Sequence, residues 1–354
     1  MKDTMLFSGL IDLQEYEEVL SCIDQAKSPI AVYGLFDSQI PHLVYALNQS
    51  KNRQCLIITY SEYQAKKILE DLKFFGESNC YEYPARELIF YNYEAHSRQL
   101  LEQRLNTLLH MLRGEKAIVV ASVESMLDTS IPRSVFEKYF LKLSYGATIE
   151  LDEIIQKLVQ MGYERVERVE AKGQFCIRGG IIDFFTMDGD MPYRMELFDD
   201  EIDSIRKFDI ESQRSLEQVR EVTVYPAREF LLEPDCIQEG IQEIQAEFQK
   251  ISSNLEEEKR IRLEEKVKQL LENLKTGTRV QGIENYLNYF YKKPDSFIDF
   301  LESDALIFID DPSRVQEKAN AAFYEFRENF SDLLEKGEVL PRQGDLMNNY
   351  KQLL

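Results

Sequence analysis

Three runs of apolar, mostly β-branched residues, Ile30–Tyr33, Cys55–Thr59 and Ala117–Ala121, each stand ahead of a stretch with helical periodicity. This rhythm restricts the fold more than any other feature of the chain. A half-buried strand alternates apolar and polar residues, whereas these runs are close to apolar throughout. Strands of that composition are dry on both faces, as in a parallel sheet covered by right-handed crossover helices. The helices expected between them are Ser38–Leu47, Glu62–Phe75 and Glu94–Leu112, the last with Leu100, Leu101, Leu105, Leu108 and Leu109 on one face. A fourth run, Ala305–Ile309, leads into Asp310-Asp311 and a helix from Ser313, with Asp311 or Ser313 as its cap and Pro312 in its first turn.

At 354 residues the chain is too long for one ordinary core. Its pattern changes at Ser130-Ile131-Pro132, where proline interrupts helix and central strand alike. Beyond a helix at Leu151–Met161 come short strands and turns: Arg178-Gly179-Gly180 opens Ile181–Phe185, and Tyr193–Phe208 reads as a hairpin around Asp199-Asp200. Helical periodicity returns over Leu231–Thr276, with Leu263, Val267, Leu270, Leu271 and Leu274 on one face and Gly277 as a stop. The expected class is α/β: a parallel-sheet lobe split by a small β-rich α+β domain. The expected pieces are residues 1–129, 130–225 and 226–354, the first and last completing one lobe.

Several function classes are disfavoured by composition. A net charge of −21 argues against strong binding of DNA, which needs a basic footprint to displace phosphate counterions. Tyr81, Tyr83, Phe90, Tyr91 and Tyr93 could stack on bases, but interleaved glutamates favour packing. The cysteines (Cys22, Cys55, Cys80, Cys176, Cys236) and histidines (His42, His96, His110) are scattered, so neither a metal site, a disulfide framework nor a catalytic histidine is indicated. No apolar run has the length of a membrane span, and the acidic amino terminus is unlike a signal peptide, so a cytoplasmic location is expected.

The strings GYER at 162–165, GQFCIRG at 173–179, PYRMELFDDEIDSIR at 192–206 and VYPAREF at 224–230 resemble the bacterial transcription-repair coupling factors (Mfd) and, more distantly, the damage-loading helicase UvrB. The resemblance covers nearly the whole chain but only the amino-terminal third or so of a coupling factor, without its motor. It implies a helicase-like lobe split by a domain that binds the repair protein UvrA. It further implies that a carboxy-terminal domain of the full-length protein masks that surface, and that RNA polymerase and DNA translocation belong to segments beyond Leu354. On the family's motif positions, Arg165, Phe175 and Arg178 are the expected UvrA contacts, with Arg168 and Lys172 as accessories. Two arginines beside an aromatic ring have the makeup of an interface hot spot. The residues alone also allow the opposite reading, with the arginines paired internally to Glu164, Glu167 or Asp183 and Phe175 in the core.

A phosphate-binding loop of the form G-x-x-x-x-G-K-[ST] needs glycines for backbone approach, a lysine for charge and a hydroxyl for magnesium. Here Gly34 is followed by Gln39, Ile40 and Pro41 where glycine, lysine and serine or threonine belong. Neither nucleotide, metal nor any other cofactor is therefore expected, and Asp310-Asp311, though placed like a helicase's acidic motif, has nothing to coordinate. The expectation is a non-catalytic adaptor that recruits UvrA to stalled RNA polymerase; the alternative is a regulatory brace on the absent motor.

Overall fold

A computed structural model describes residues 8–75, 79–86, 98–277 and 280–353. In chain order the first elements are α1 (Ser8–Ile11), α2 (Gln14–Asp24), α3 (Gln39–Lys51), β1 (Cys55–Thr59), α4 (Glu62–Phe74), β2 (Cys80–Tyr83), α5 (Arg98–Leu112), β3 (Ile118–Ser122), α6 (Val123–Met126) and α7 (Arg133–Lys138). A sheet-rich stretch follows: β4 (Leu141–Ser144), α8 (Leu151–Gln160), β5 (Glu164–Arg165), β6 (Gln174–Arg178), β7 (Ile181–Phe184), β8 (Tyr193–Phe198), β9 (Glu201–Phe208), β10 (Ser215–Val219) and β11 (Glu221–Val224). The chain closes through α9 (Pro234–Ser252), α10 (Glu257–Thr276), α11 (Leu287–Phe290), β12 (Leu306–Ile309), α12 (Pro312–Glu335) and α13 (Tyr350–Leu353).

Four parallel strands form the first sheet, in the order β12-β1-β3-β2. Every residue of β1 and β3 is buried, as the unbroken apolar runs require. One face packs Cys55, Ile57, Ile118 and Val120 against α3 and α4; the other packs Leu56, Ile58, Val119 and Ala121 against α5, α6 and α12. β12 arrives from some 250 residues later in the chain to pair with β1, Cys55 opposite Leu306 and Ile58 opposite Ile309. Its helix starts where the sequence indicates: the Asp311 carboxylate accepts from the Arg314 N–H, and Pro312 occupies the first turn.

One expected strand is absent. Ile30–Tyr33 pairs with nothing in the described structure, and Ile30, Val32, Tyr33, Leu35 and Phe36 are all exposed, Tyr33 at 89%. Strand propensity reflects packing on a neighbouring strand, and among the described residues no strand is paired with this run. The expected helix over Leu231–Thr276 is instead two, α9 and α10, broken at Ser253–Glu256. Phe90, Tyr91, Tyr93 and His96 lie outside the described residues. Tyr81 stacks on His110, and Tyr83 is buried under the Arg104 guanidinium.

The second sheet is six-stranded, β10-β9-β8-β7-β6-β5, antiparallel except for the short β5–β6 pair. Its inner face carries Phe175, Ile182, Phe184, Met195 and Ile205, which pack with Ile154 and Leu158 of α8 in the main core. A two-stranded ribbon, β4 with β11, joins the two ends of this region.

At the junction of the lobe and the exit from this region sits a buried polar cluster. Arg104 of α5 donates to Glu229 (2.7 Å), to the Pro84 carbonyl (2.6 Å) and to the Tyr83 hydroxyl, and also approaches Asp128 (3.5 Å). Burial alone would lower the Arg104 pKa, but Glu229, Tyr83 and Asp128 outweigh it and keep the guanidinium charged. Burial also pushes the Asp128 carboxyl up, against the pull of Arg86 and Arg104.

α9 passes close to α11 through Gly240, where an added Cβ would stand 2.4 Å from the Phe290 ring. Gly240→Ala is therefore expected to lower the melting temperature despite the ~1 kcal/mol gain in helix propensity, because overpacking of this kind typically costs about 1–3 kcal/mol. A thermal unfolding curve unchanged or raised relative to the native chain would show that the helices separate freely.

Candidate functional site

Side chains alternate across a sheet, and register decides which of them share a face. Cys176, Asp183, Arg194 and Arg206 are aligned across β6, β7, β8 and β9 and occupy the outer face, opposite Phe175 and Phe184. Asp183 is 1% exposed. Its carboxylate takes two bonds from Arg194, Nε to Oδ1 at 2.7 Å and Nη2 to Oδ2 at 2.8 Å, and a further bond from Nη2 of Arg178. Arg194 is fixed further by donation to the Gln213 carbonyl (3.2 Å) and by lying over the Phe208 ring. Its hydrogen bonds to Asp183 raise its pKa further, so it is a permanent cation.

Arg178 is held differently. Its side chain remains 52% exposed while one nitrogen is anchored on a buried acid, so the rest of the planar fork faces outward in a set direction. Arg206 lies on the same face and pairs loosely with Glu196 (3.7 Å), whose other oxygen accepts from Ser204 (3.1 Å). Two loops cover the far end of the face, around a small apolar cluster of Val169, Cys176, Phe185 and Phe208. Arg168 ties them together, donating to the carbonyls of Ile210 (2.8 Å) and Glu211 (3.3 Å). Three arginines thus converge on one face of a strongly acidic chain.

The expected trio does not come together. Phe175 is fully buried at 0% exposure in the core beneath the sheet, so its assignment as a surface anchor is corrected: its position on β6 turns it inward, next to Phe184. Arg165 is exposed and has no ion-pair partner among the described residues, but it is aligned with Phe175 and so belongs to the opposite side of the sheet from Arg178. Lys172 reaches Glu102 of α5 at 2.9 Å and serves the contact with the lobe. Arg194 and Arg206 join this face through register, Arg194 opposite Asp183 and Arg206 opposite Arg194, and alternation within one strand does not reveal which strands are paired.

At the lobe, Gly34 has φ of +82°, Gln39 and Ile40 open α3, and Pro41 is buried in it. The Gln39 side-chain oxygen takes the Phe36 N–H at 2.9 Å, and Asp37 pairs with Lys67 at 3.1 Å. Burial raises the Asp310 carboxyl, which accepts from Gln64 at 3.4 Å. Among the described residues no group of three or more histidine, cysteine or acidic side chains is arranged to hold a metal, and no helix is long and apolar enough to cross a membrane.

A family model described as the UvrB interaction domain matches residues 141–230, the stretch that contains the outer-face arginines. The transcription-repair-coupling factor of Bacillus subtilis (strain 168) is 32% identical over 335 residues, 92% of this chain and 28% of that protein. Those of Staphylococcus epidermidis (strain RP62A) and Staphylococcus aureus (strain USA300) are 30% and 29% identical, each across 94% of this chain and 28% of their own length. Along more than nine-tenths of its length the chain is thus similar to transcription-repair-coupling factors. It spans a little over a quarter of the length of these relatives. The arginine face lies within the segment that matches the UvrB interaction domain.

Proposed function

We propose that this chain is the recruitment module of a transcription-repair coupling factor, and that the outer face of its six-stranded sheet binds UvrA, bringing excision repair to stalled RNA polymerase. The observation that carries this reading is the exposed Arg178 fork, aimed by buried Asp183 and flanked by Arg194 and Arg206, inside the matched segment of a chain whose net charge is −21. Local cationic character in an acidic molecule steers an acidic partner to one place and repels it elsewhere. Residues 130–225 then act as an insert in a helicase-like lobe made of residues 1–129 and 226–354. That lobe is non-catalytic, since the Gln39, Ile40 and Pro41 positions supply no countercharge for a triphosphate.

Arg178→Ala is expected to weaken UvrA binding by about 2–5 kcal/mol, the usual loss for a desolvated charged contact. Arg165→Ala, on the other side of the sheet, is expected to do much less. Calorimetry with purified UvrA measures both. Unchanged affinity for Arg178→Ala, with native circular dichroism, would remove the assignment; a larger loss for Arg165→Ala would move the interface to the inner side.

A further inference from the structure

Between β9 and β10 the chain makes a short connection, residues 209–214, one of the two loops over the far end of the outer face. It is tied at almost every position. The Asp209 carboxylate accepts from the Ser212 N–H (2.8 Å) and from the Ser212 hydroxyl (2.7 Å). The Asp209 N–H donates to the Arg214 carbonyl (3.0 Å), and the Gln213 N–H donates to the Asp209 carbonyl (2.8 Å). Gln213 has φ of +59°, in the left-handed region that residues with a side chain rarely adopt. Its side-chain amide donates to the Ile210 carbonyl at 2.7 Å, which holds that conformation, and Ile210 packs on the Val169, Cys176, Phe185 and Phe208 cluster. Backbone conformations of this kind persist only where the surroundings over-determine them, and they gather at functional sites.

This loop offers the face a row of main-chain carbonyls. That of Gln213 accepts from Nη1 of Arg194 (3.2 Å), and those of Ile210 and Glu211 accept from Nη2 of Arg168 (2.8 and 3.3 Å). All three nitrogens of Arg194 are thereby in use: Nε and Nη2 on Asp183, Nη1 on the loop, with the Phe208 ring against the guanidinium plane. A planar fork held at three nitrogens cannot turn, whereas one held along a single edge tilts about that edge. Buried Asp183 takes two bonds from Arg194 and one from Arg178. The carboxylate therefore follows Arg194, and the Arg178 fork follows the carboxylate.

We infer that the 209–214 loop is the positioning element of the arginine face, setting through Arg194 and Asp183 the direction in which Arg178 meets UvrA, a role that rests on the recruitment reading above. Asp209 and Gln213 are then positioning residues that need no contact with the partner. So is Arg168, which the sequence suggested as an accessory contact: its side chain is 49% exposed, but its Nη2 is committed to the loop. With the loop unfastened, Arg194 can tilt and the Arg178 fork loses its fixed aim. The side chains must then be ordered at the moment of binding, which lowers affinity without removing a contact. The expected loss is about three- to tenfold, smaller than that for Arg178→Ala.

NMR of the Arg194 Nε–H in the 354-residue chain, together with calorimetry against UvrA, tests this. In the native chain that proton should exchange slowly with water, being bonded to a buried carboxylate. Asp209→Ala should speed its exchange by roughly tenfold or more and weaken UvrA binding by about three- to tenfold. Asp209→Asn, which keeps an acceptor oxygen for Ser212, should leave both near native. Arg168→Ala should act like Asp209→Ala, and the double variant should bind much as either single one does, because both loosen one loop. Unchanged exchange in Asp209→Ala overturns the inference. So does faster exchange with unchanged affinity, which would make the loop structural only. Losses that multiply in the double variant, with the Arg194 signal unmoved by Arg168→Ala, also overturn it and return Arg168 to the interface. Exchange is read without UvrA and Arg178→Ala decides the recruitment reading by itself, so the two can fail separately.

Discussion

Arg104→Ala should destabilise the chain by about 3–5 kcal/mol, the usual loss when one member of a buried charge network is removed and the others stay behind. The size follows from what loses Arg104: Glu229, the Pro84 carbonyl, the Tyr83 hydroxyl, and Asp128, which keeps the Arg86 N–H at 3.4 Å, all shielded from water. Net stability of a domain is only about 5–15 kcal/mol, so the variant should be near the threshold of folding. Arg104→Met with Glu229→Gln should recover part of the loss, since it removes both main charges together. Urea titration followed by circular dichroism gives the comparison. A loss below about 1 kcal/mol for Arg104→Ala would mean that water reaches the cluster and that it does not fasten the middle region to the lobe.

Phe175→Ala is expected to cost a similar amount, about 3–5 kcal/mol, as phenylalanine truncations in well-packed cores do. The ring fills the space between Phe184 and the rest of the inner face, with no exposed area to lose to a partner. Its effect on recruitment should therefore come through folding. Phe175→Leu, which keeps most of the volume, is expected to retain UvrA affinity within about threefold, whereas Arg178→Ala loses it while remaining stable. The decisive pattern is this crossing of effects between stability and binding. A well-folded Phe175→Leu chain that fails to bind UvrA would return the ring to the interface.

Arg178 and Arg165 show how a sheet separates residues that a motif puts together. They are 13 positions apart and both arginines, yet one shares a face with Asp183 and the other is aligned with Phe175. The glycine pair after Arg178 allows the tight β6–β7 connection that sets Cys176 opposite Asp183. At Gly179, φ of +63° is a conformation that residues with a side chain rarely adopt. At Gly180 an added Cβ would come within 3.0 Å of the Leu197 carbonyl oxygen.

Much of the architecture was determined by sequence alone. β1 and β3 are legible because a strand buried on both faces is close to apolar throughout, and β12 because its apolar run stands directly ahead of the start of α12. The β8–β9 hairpin is legible because Asp199-Asp200 turns the chain between alternating runs, and the start of α12 because Asp311 and Pro312 are cap and first-turn residues. All of these are local demands of backbone hydrogen bonding and side-chain burial. Tertiary structure decided the rest. Ile30–Tyr33 has the composition of a strand but pairs with no strand among the described residues, Phe175 sits in a recognition-like motif but faces the core, and the Asp183 cluster assembles only when four strands take one register. Composition and periodicity record which residues prefer burial or extension; pairing, facing and proximity are properties of distant segments brought together, and no single stretch of chain contains them.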